Sequence, residues 1–263
     1  MNLQDNDNRS RRFFLARRTR KLKRTVFIIP SLFTVGNIFA GFYSILATYH
    51  GEYNRAALAI GIAVVLDGLD GRIARMTGAT SAFGLQLDSL ADIISFGVAP
   101  SVLIYSWGFE DLGNFARFSA FLFLICGAMR LARFNVQSME MKHFVGMPIP
   151  AGAGMIAAIV HFFGTPPDSI AAKSLLVGMT YLLALLMISS IRFFSFKKLH
   201  LSKGKSHLNV LALAVIIAGI VLYSEIVLLI IASIYALSGL VGRIIQEIRR
   251  VLGRTSPDPD DAE

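Results

Sequence analysis

Asp67, Asp70, Asp88 and Asp92 occupy two otherwise apolar stretches, VLDGLDGRIAR at 65–75 and FGLQLDSLADIISFGVAP at 83–100. An ionised side chain at mid-bilayer depth costs about 3 kcal/mol on insertion scales. Four uncompensated carboxylates therefore call for something cationic, and Arg72 and Arg75 balance only two of them. In a helix, Asp67 and Asp70 (i, i+3) share one face, as do Asp88 and Asp92 (i, i+4). Two such helices side by side turn all four carboxylates into one cleft. Gly71 and Ala74 continue the face of Asp67, and Gly84 that of Asp88; small residues let helix backbones approach. Hard oxygen donors without His or Cys suit Mg²⁺ or Mn²⁺. Two other uses of buried acids stay open: an Asp–Arg network that only fixes helix packing, and an ion or proton pathway. Depth counts against a pathway. At 1.5 Å per residue, Asp67 and Asp70 lie roughly 9–14 Å from the cytoplasmic end of their span, and Asp88 and Asp92 roughly 10–17 Å from theirs. All four fall in one leaflet, and almost no polar residue continues to the other side.

The elements that must position these residues are membrane helices. Of 263 residues, 54% are hydrophobic and 16% charged, where soluble domains run near a quarter charged. That balance excludes a cytosolic enzyme, a disordered chain and a nucleic-acid-binding domain. Stretches long enough to span fall at 26–49, 53–76, 81–107, 114–135, 148–164, 169–193, 208–223 and 225–248. The expectation is an all-α polytopic bundle of about eight transmembrane helices. It divides into a basic juxtamembrane segment, 1–25, one membrane domain, 26–248, and a cytoplasmic tail, 249–263.

Charge orients the bundle. Nine Lys and Arg precede residue 25, with no apolar signal-peptide core among them; such a cluster stays in the cytoplasm and binds anionic lipid headgroups. Lys142, the cations of 192–206, and Arg243, Arg249, Arg250 and Arg254 fall on the same side. Glu52, Glu110, Asp111, Asp168 and Glu225 fall on the other. An even number of spans puts both termini in the cytoplasm, in the cell membrane. Cys126, the one cysteine, sits in an apolar run as a packing residue, and His161 near the outer end of span five reads as structural.

The string Asp67-x2-Asp70-Gly71-x2-Ala74-Arg75-x8-Gly84-x3-Asp88-x3-Asp92 resembles, position for position, the signature of the CDP-alcohol phosphatidyltransferase family. Three further segments, Leu87–Asp92 running into Ser95–Pro100, then Arg130–Asn135, then Gly146–Gly152, resemble the integral-membrane branch of that family that takes serine as acceptor. The resemblance implies a helical bundle, a homodimer, two divalent cations and transfer of a phosphatidyl group from CDP-diacylglycerol to L-serine with release of CMP. It implies that Asp67, Asp70 and Asp88 are metal ligands. Asp92 would sit at the metal edge as the general base. CDP would lie near Gly71, Ala74, Arg75 and Gly84. Thr34 and Asn37, one turn apart at similar depth, become candidate nucleotide or metal-shell contacts; otherwise they satisfy helix carbonyls and a neighbouring helix. Arg130 and Arg133, at i, i+3, are candidates for the serine carboxylate, since guanidinium pairs with carboxylate in a fork; otherwise they snorkel to the headgroups. The same donor with glycerol phosphate, inositol or inositol phosphate as acceptor is the alternative, and a cation or proton transporter a more distant one.

Overall fold

The computed structural model describes residues 31–77, 81–137, 146–189, 191, 218–219 and 222–251. Among them every regular element is helical. The expected basic segment 1–25, most of span 208–223, the basic stretch 192–206 and the tail beyond Val251 lie outside the described residues.

Helix α1 covers Ser31–Tyr49 and α2 covers Tyr53–Thr77. A tight reversal joins them: Gly51 takes φ +74°, its N–H bonds to Thr48 O, and Glu52 N–H bonds to Ala47 O. This pair of bonds closes a helix whose next residue is left-handed, a conformation glycine adopts without strain. Helix α3, Ala82–Asp92, starts on Ser81, whose hydroxyl accepts the Gly84 N–H at 2.9 Å as an N-cap. A π-helical turn follows at Ile93–Val98, then α4 at Ala99–Ile104, a second π turn at Tyr105–Phe109 and a 3₁₀ turn at Glu110–Leu112. Pro100 stands in the first turn of α4. It has no N–H to give a regular i−4 bond, and the wider turn precedes it: Ala99 N–H reaches Ile94 O, five residues back.

The apolar run Ala82–Val136 extends over 55 residues, roughly 80 Å as straight helix and more than twice a bilayer's hydrocarbon depth of about 30 Å. It folds at Gly113 (φ +70°), and α5, Gly113–Gln137, returns along α4 and both π turns. Spans 81–107 and 114–135 of the sequence reading are thus an interrupted helix and a regular one. Helix α6, Ile149–Phe163, follows Pro148 and ends on Gly164 (φ +65°). Helix α7, Ile170–Ile188, packs along α5. Helix α8, Ser224–Val251, packs along α6, which also lies against α2.

Ser31–Tyr49, Ala82–Val136 and Ile170–Ile188 are long and apolar enough to cross a membrane, and Ile149–Phe163 and Ser224–Gly239 are shorter apolar helices. Helix α2 has the length but carries Asp67, Asp70, Arg72 and Arg75. Phe96, Leu103, Trp107, Phe123, Ile149, Ile156 and Met187 are buried between helices, while Leu32, Phe39, Phe42, Phe118, Phe121, Ile230 and Ile234 face outward. A bundle apolar both inside and out matches a lipid surround.

Candidate active site

Helices α2 and α3 run antiparallel, and their facing acids meet. Oxygen atoms of Asp67, Asp70 and Asp88 all lie within 4.8 Å of one another. Asp92, one turn beyond Asp88, reaches Asp67 within hydrogen-bonding contact. Asp70 is buried, and the other three are half-buried. Two of these oxygens, Asp88 Oδ1 and Asp92 Oδ1, are buried with no hydrogen-bond partner among the described residues. Buried carboxylate oxygens are ordinarily paired. Orphaned oxygens in a cluster of hard oxygen donors fit a divalent cation, which would satisfy them and offset the repulsion between neighbouring acids.

Helix α1 closes one side. Thr34 Oγ1 donates to Asp70 Oδ2 at 3.1 Å, so its hydroxyl engages a carboxylate of the cleft. Asn37, one turn on, is fully buried, and both its Oδ1 and its Nδ2 lack partners among the described residues. Its main-chain oxygen accepts a 2.8 Å bond from Ser95 Oγ in the first π turn. That contact sits on Gly41, whose bare Cα lies so close to Ser95 that a Cβ would come within 2.4 Å of the hydroxyl oxygen. Close approach thus occurs between α1 and the π turn. A Cβ at Gly84 would meet its own cap, Ser81 Oγ, at 3.1 Å. Gly71 adjoins Asp70, and its N–H donates to that carboxylate. Ala74 and Arg75 continue α2, with side chains outside the described set; Arg72 is exposed.

Helix α5 closes the other side. Arg130 is half-buried, with Nε unpartnered among the described residues. Its guanidinium lies within electrostatic reach of Asp92 and of Tyr235 on α8. Arg133, one turn later, is exposed. Asn135 Nδ2 donates to Ser89 Oγ at 2.9 Å, tying the end of α5 to the helix that carries Asp88. In the Gly146–Gly152 segment, Gly146 N–H bonds to Ile191 O and Met147 N–H to Leu186 O, at the end of α7. Tyr235, Ser95 and Gly41 carry no signal of their own in the sequence. Tyr235 is a lone aromatic in an apolar helix, and Gly41 is one of two glycines in another, with no motif around it. Ser95 stands inside a recognised segment with nothing to say what it touches.

At the far end of the bundle, His161 bridges three helices, bonding Asn54 of α2 through Nδ1 and Ser224 of α8 through Nε2 at 2.8 Å. This supports its structural reading. Arg55 pairs with Glu52 and Lys173 with Asp111 at that same end, both at 2.8–2.9 Å.

The antiparallel helix pair thus presents, inside an apolar bundle, an acidic cleft whose carboxylates could hold a divalent cation. The family model for CDP-alcohol phosphatidyltransferase matches residues 27–237, and the chain belongs to that family. It is similar to the CDP-diacylglycerol–serine O-phosphatidyltransferase of Helicobacter pylori strain J99, 39% identical over 181 residues that cover 66% of this chain and 74% of that one. The protein of the same name from Bacillus subtilis strain 168 is 39% identical over 170 residues, 65% of this chain and 92% of the other. The archaetidylserine synthase of Methanothermobacter thermautotrophicus is 38% identical over 176 residues, 65% of this chain and 72% of that one.

Proposed function

We propose that this protein transfers the phosphatidyl group of CDP-diacylglycerol to the hydroxyl of L-serine, giving phosphatidylserine and CMP. The observation that carries this is the meeting of Asp67, Asp70, Asp88 and Asp92 in one cleft with orphaned carboxylate oxygens. The choice of acceptor draws on the relatives, whose names have serine in common while the lipid differs.

In this reading Asp67, Asp70 and Asp88, with Asp92 at the edge, hold two divalent cations, Mg²⁺ or Mn²⁺. Such ions, when bound, neutralise a diphosphate and polarise its phosphorus. Thr34 holds Asp70 in orientation, since a hydrogen bond to a ligating carboxylate fixes its geometry. Asn37 offers a buried donor and acceptor to the nucleotide, beside Gly71, Ala74, Arg75 and Gly84. Asp92 takes the proton from the serine hydroxyl as its oxygen attacks the lipid-bearing phosphorus. The new P–O bond replaces the bond to the CMP oxygen, and CMP departs with the charge. Arg130 is better placed than Arg133 to pair with the serine carboxylate, being half-buried on the Asp92 side.

We place the enzyme in the cell membrane as a homodimer with about eight spans. Both termini and the acidic cleft are cytoplasmic, near anionic headgroups, and the domain limits are those given above. Purified protein in mixed micelles with CDP-diacylglycerol, serine and Mg²⁺ or Mn²⁺ should form phosphatidylserine, detected by mass spectrometry. Excess EDTA should abolish the product and added metal should restore it. Undiminished turnover in EDTA after metal-free purification would contradict the metal assignment.

A further inference from the structure

We infer that Ser95 and Gly41 form a positioning pair that sets the register of α1 against α3 and so the spacing of the acidic cleft; this rests on the metal-centre reading of that cleft. Helices α1 and α3 run in the same direction, because each is antiparallel to α2. Thr34 meets Asp70 while a Cβ on Gly36 would meet Leu66, and Asp92 meets Asp67 while Asp88 groups with Asp70. Thr34 stands three residues before Asn37, and Asp92 three residues before Ser95. The 2.8 Å bond from Ser95 Oγ to Asn37 O therefore locks both helices one turn beyond the groups that face the metal centre.

Three features make this contact specific. Ser95 and Asn37 are fully buried, so no water competes for the bond. A Cβ at position 41 would lie 2.4 Å from Ser95 Oγ and 2.7 Å from Ser95 Cα; the second neighbour is backbone, which cannot swing aside. Ser95 also lies within the π turn Ile93–Val98. Such turns recur at functional sites. The bond uses the main chain of Asn37 and leaves its amide unengaged among the described residues. The same residue can thus be held in place and still meet a ligand.

The test is manganese binding to the full-length chain in detergent, read as free Mn²⁺ by electron paramagnetic resonance, with Tm measured in parallel. Loss of an outer-sphere positioning contact typically weakens metal binding about 10–100-fold. Ser95→Ala, which removes only an oxygen, should raise the Mn²⁺ Kd by about tenfold, the lower end of that range, at temperatures well below its Tm, with the serine KM little changed. Gly41→Ala should weaken binding at least as much, by forcing the helices apart. If Gly41→Ala does not fold, Ser95→Ala decides. Wild-type Mn²⁺ affinity in folded Ser95→Ala, whether or not Tm falls, would overturn the positioning role alone. A wild-type chain that binds no Mn²⁺ would overturn the metal reading and this inference with it.

Discussion

Asp92 differs from the other three acids in what surrounds it. Asp67, Asp70 and Asp88 form the tight oxygen cluster, whereas Asp92 touches that cluster through Asp67 and faces Arg130. Replacing it with Asn keeps the shape and leaves three ligands, but removes the group that accepts the serine proton. Asp92→Asn should therefore lower kcat by about 10²–10⁴-fold, the usual cost of losing a general base. Steady-state kinetics with each substrate varied in turn measures this, with the CDP-diacylglycerol KM within a few-fold of wild type. Arg130→Lys tests binding. It keeps the charge but loses the planar fork, so the serine KM should rise about tenfold, as for one lost charged hydrogen bond, with kcat less affected. Arg133→Lys, at an exposed position, should raise it less. An unchanged serine KM in Arg130→Lys would return that residue to simple headgroup contact. The acids were legible in the sequence because a carboxylate in an apolar helix is costly and its i, i+3 or i, i+4 partner names the face. Ser95 on the Asn37 carbonyl was not legible, because a main-chain partner 58 positions away leaves no local pattern.

Helix existence followed from apolar length, and most boundaries in the described residues fall within a few positions of the expected ones. The interruptions after Asp92 did not follow, because a π turn keeps the hydrophobic run intact while changing its pitch. The only hint is Pro100, which disallows one regular bond. The Gly146–Gly152 segment shows how a recognised string can do architectural work. Gly146 sits at φ +87°, with Met187 O only 2.3 Å from where its Cβ would be. Its N–H, with that of Met147, ties the start of α6 to the end of α7. Gly146→Ala adds a left-handed strain of about 1–2 kcal/mol to a clash with backbone that cannot move. It should lower Tm by several degrees, whereas Gly154→Ala, with open space at its Cβ, should not. Thermal unfolding of both variants in one detergent compares them, and equal Tm values would remove the structural role given to Gly146.

Among the described residues, the charged side chains segregate toward the two ends of the bundle. The acidic cleft lies in the second half of α2 and the first turns of the α3 run, while the Arg55–Glu52 and Lys173–Asp111 pairs and the His161 bridge hold the opposite end. Between them the described interior is mainly apolar, and the buried hydroxyls of Thr48, Ser101, Ser119 and Thr180 bond to carbonyls of their own helical runs. This suits chemistry on a headgroup at one surface better than passage of an ion from one side to the other. Family membership extends this arrangement to CDP-linked donors, and the acceptor is the choice on which the proposed activity turns. CMP release by the purified protein, with CDP-diacylglycerol, divalent metal and one alcohol at a time from serine, glycerol 3-phosphate, inositol and inositol phosphate, tests that choice most directly. Metal-dependent release with serine alone, matched mole for mole by phosphatidylserine, is the predicted result. Release with another of these alcohols and none with serine would contradict it.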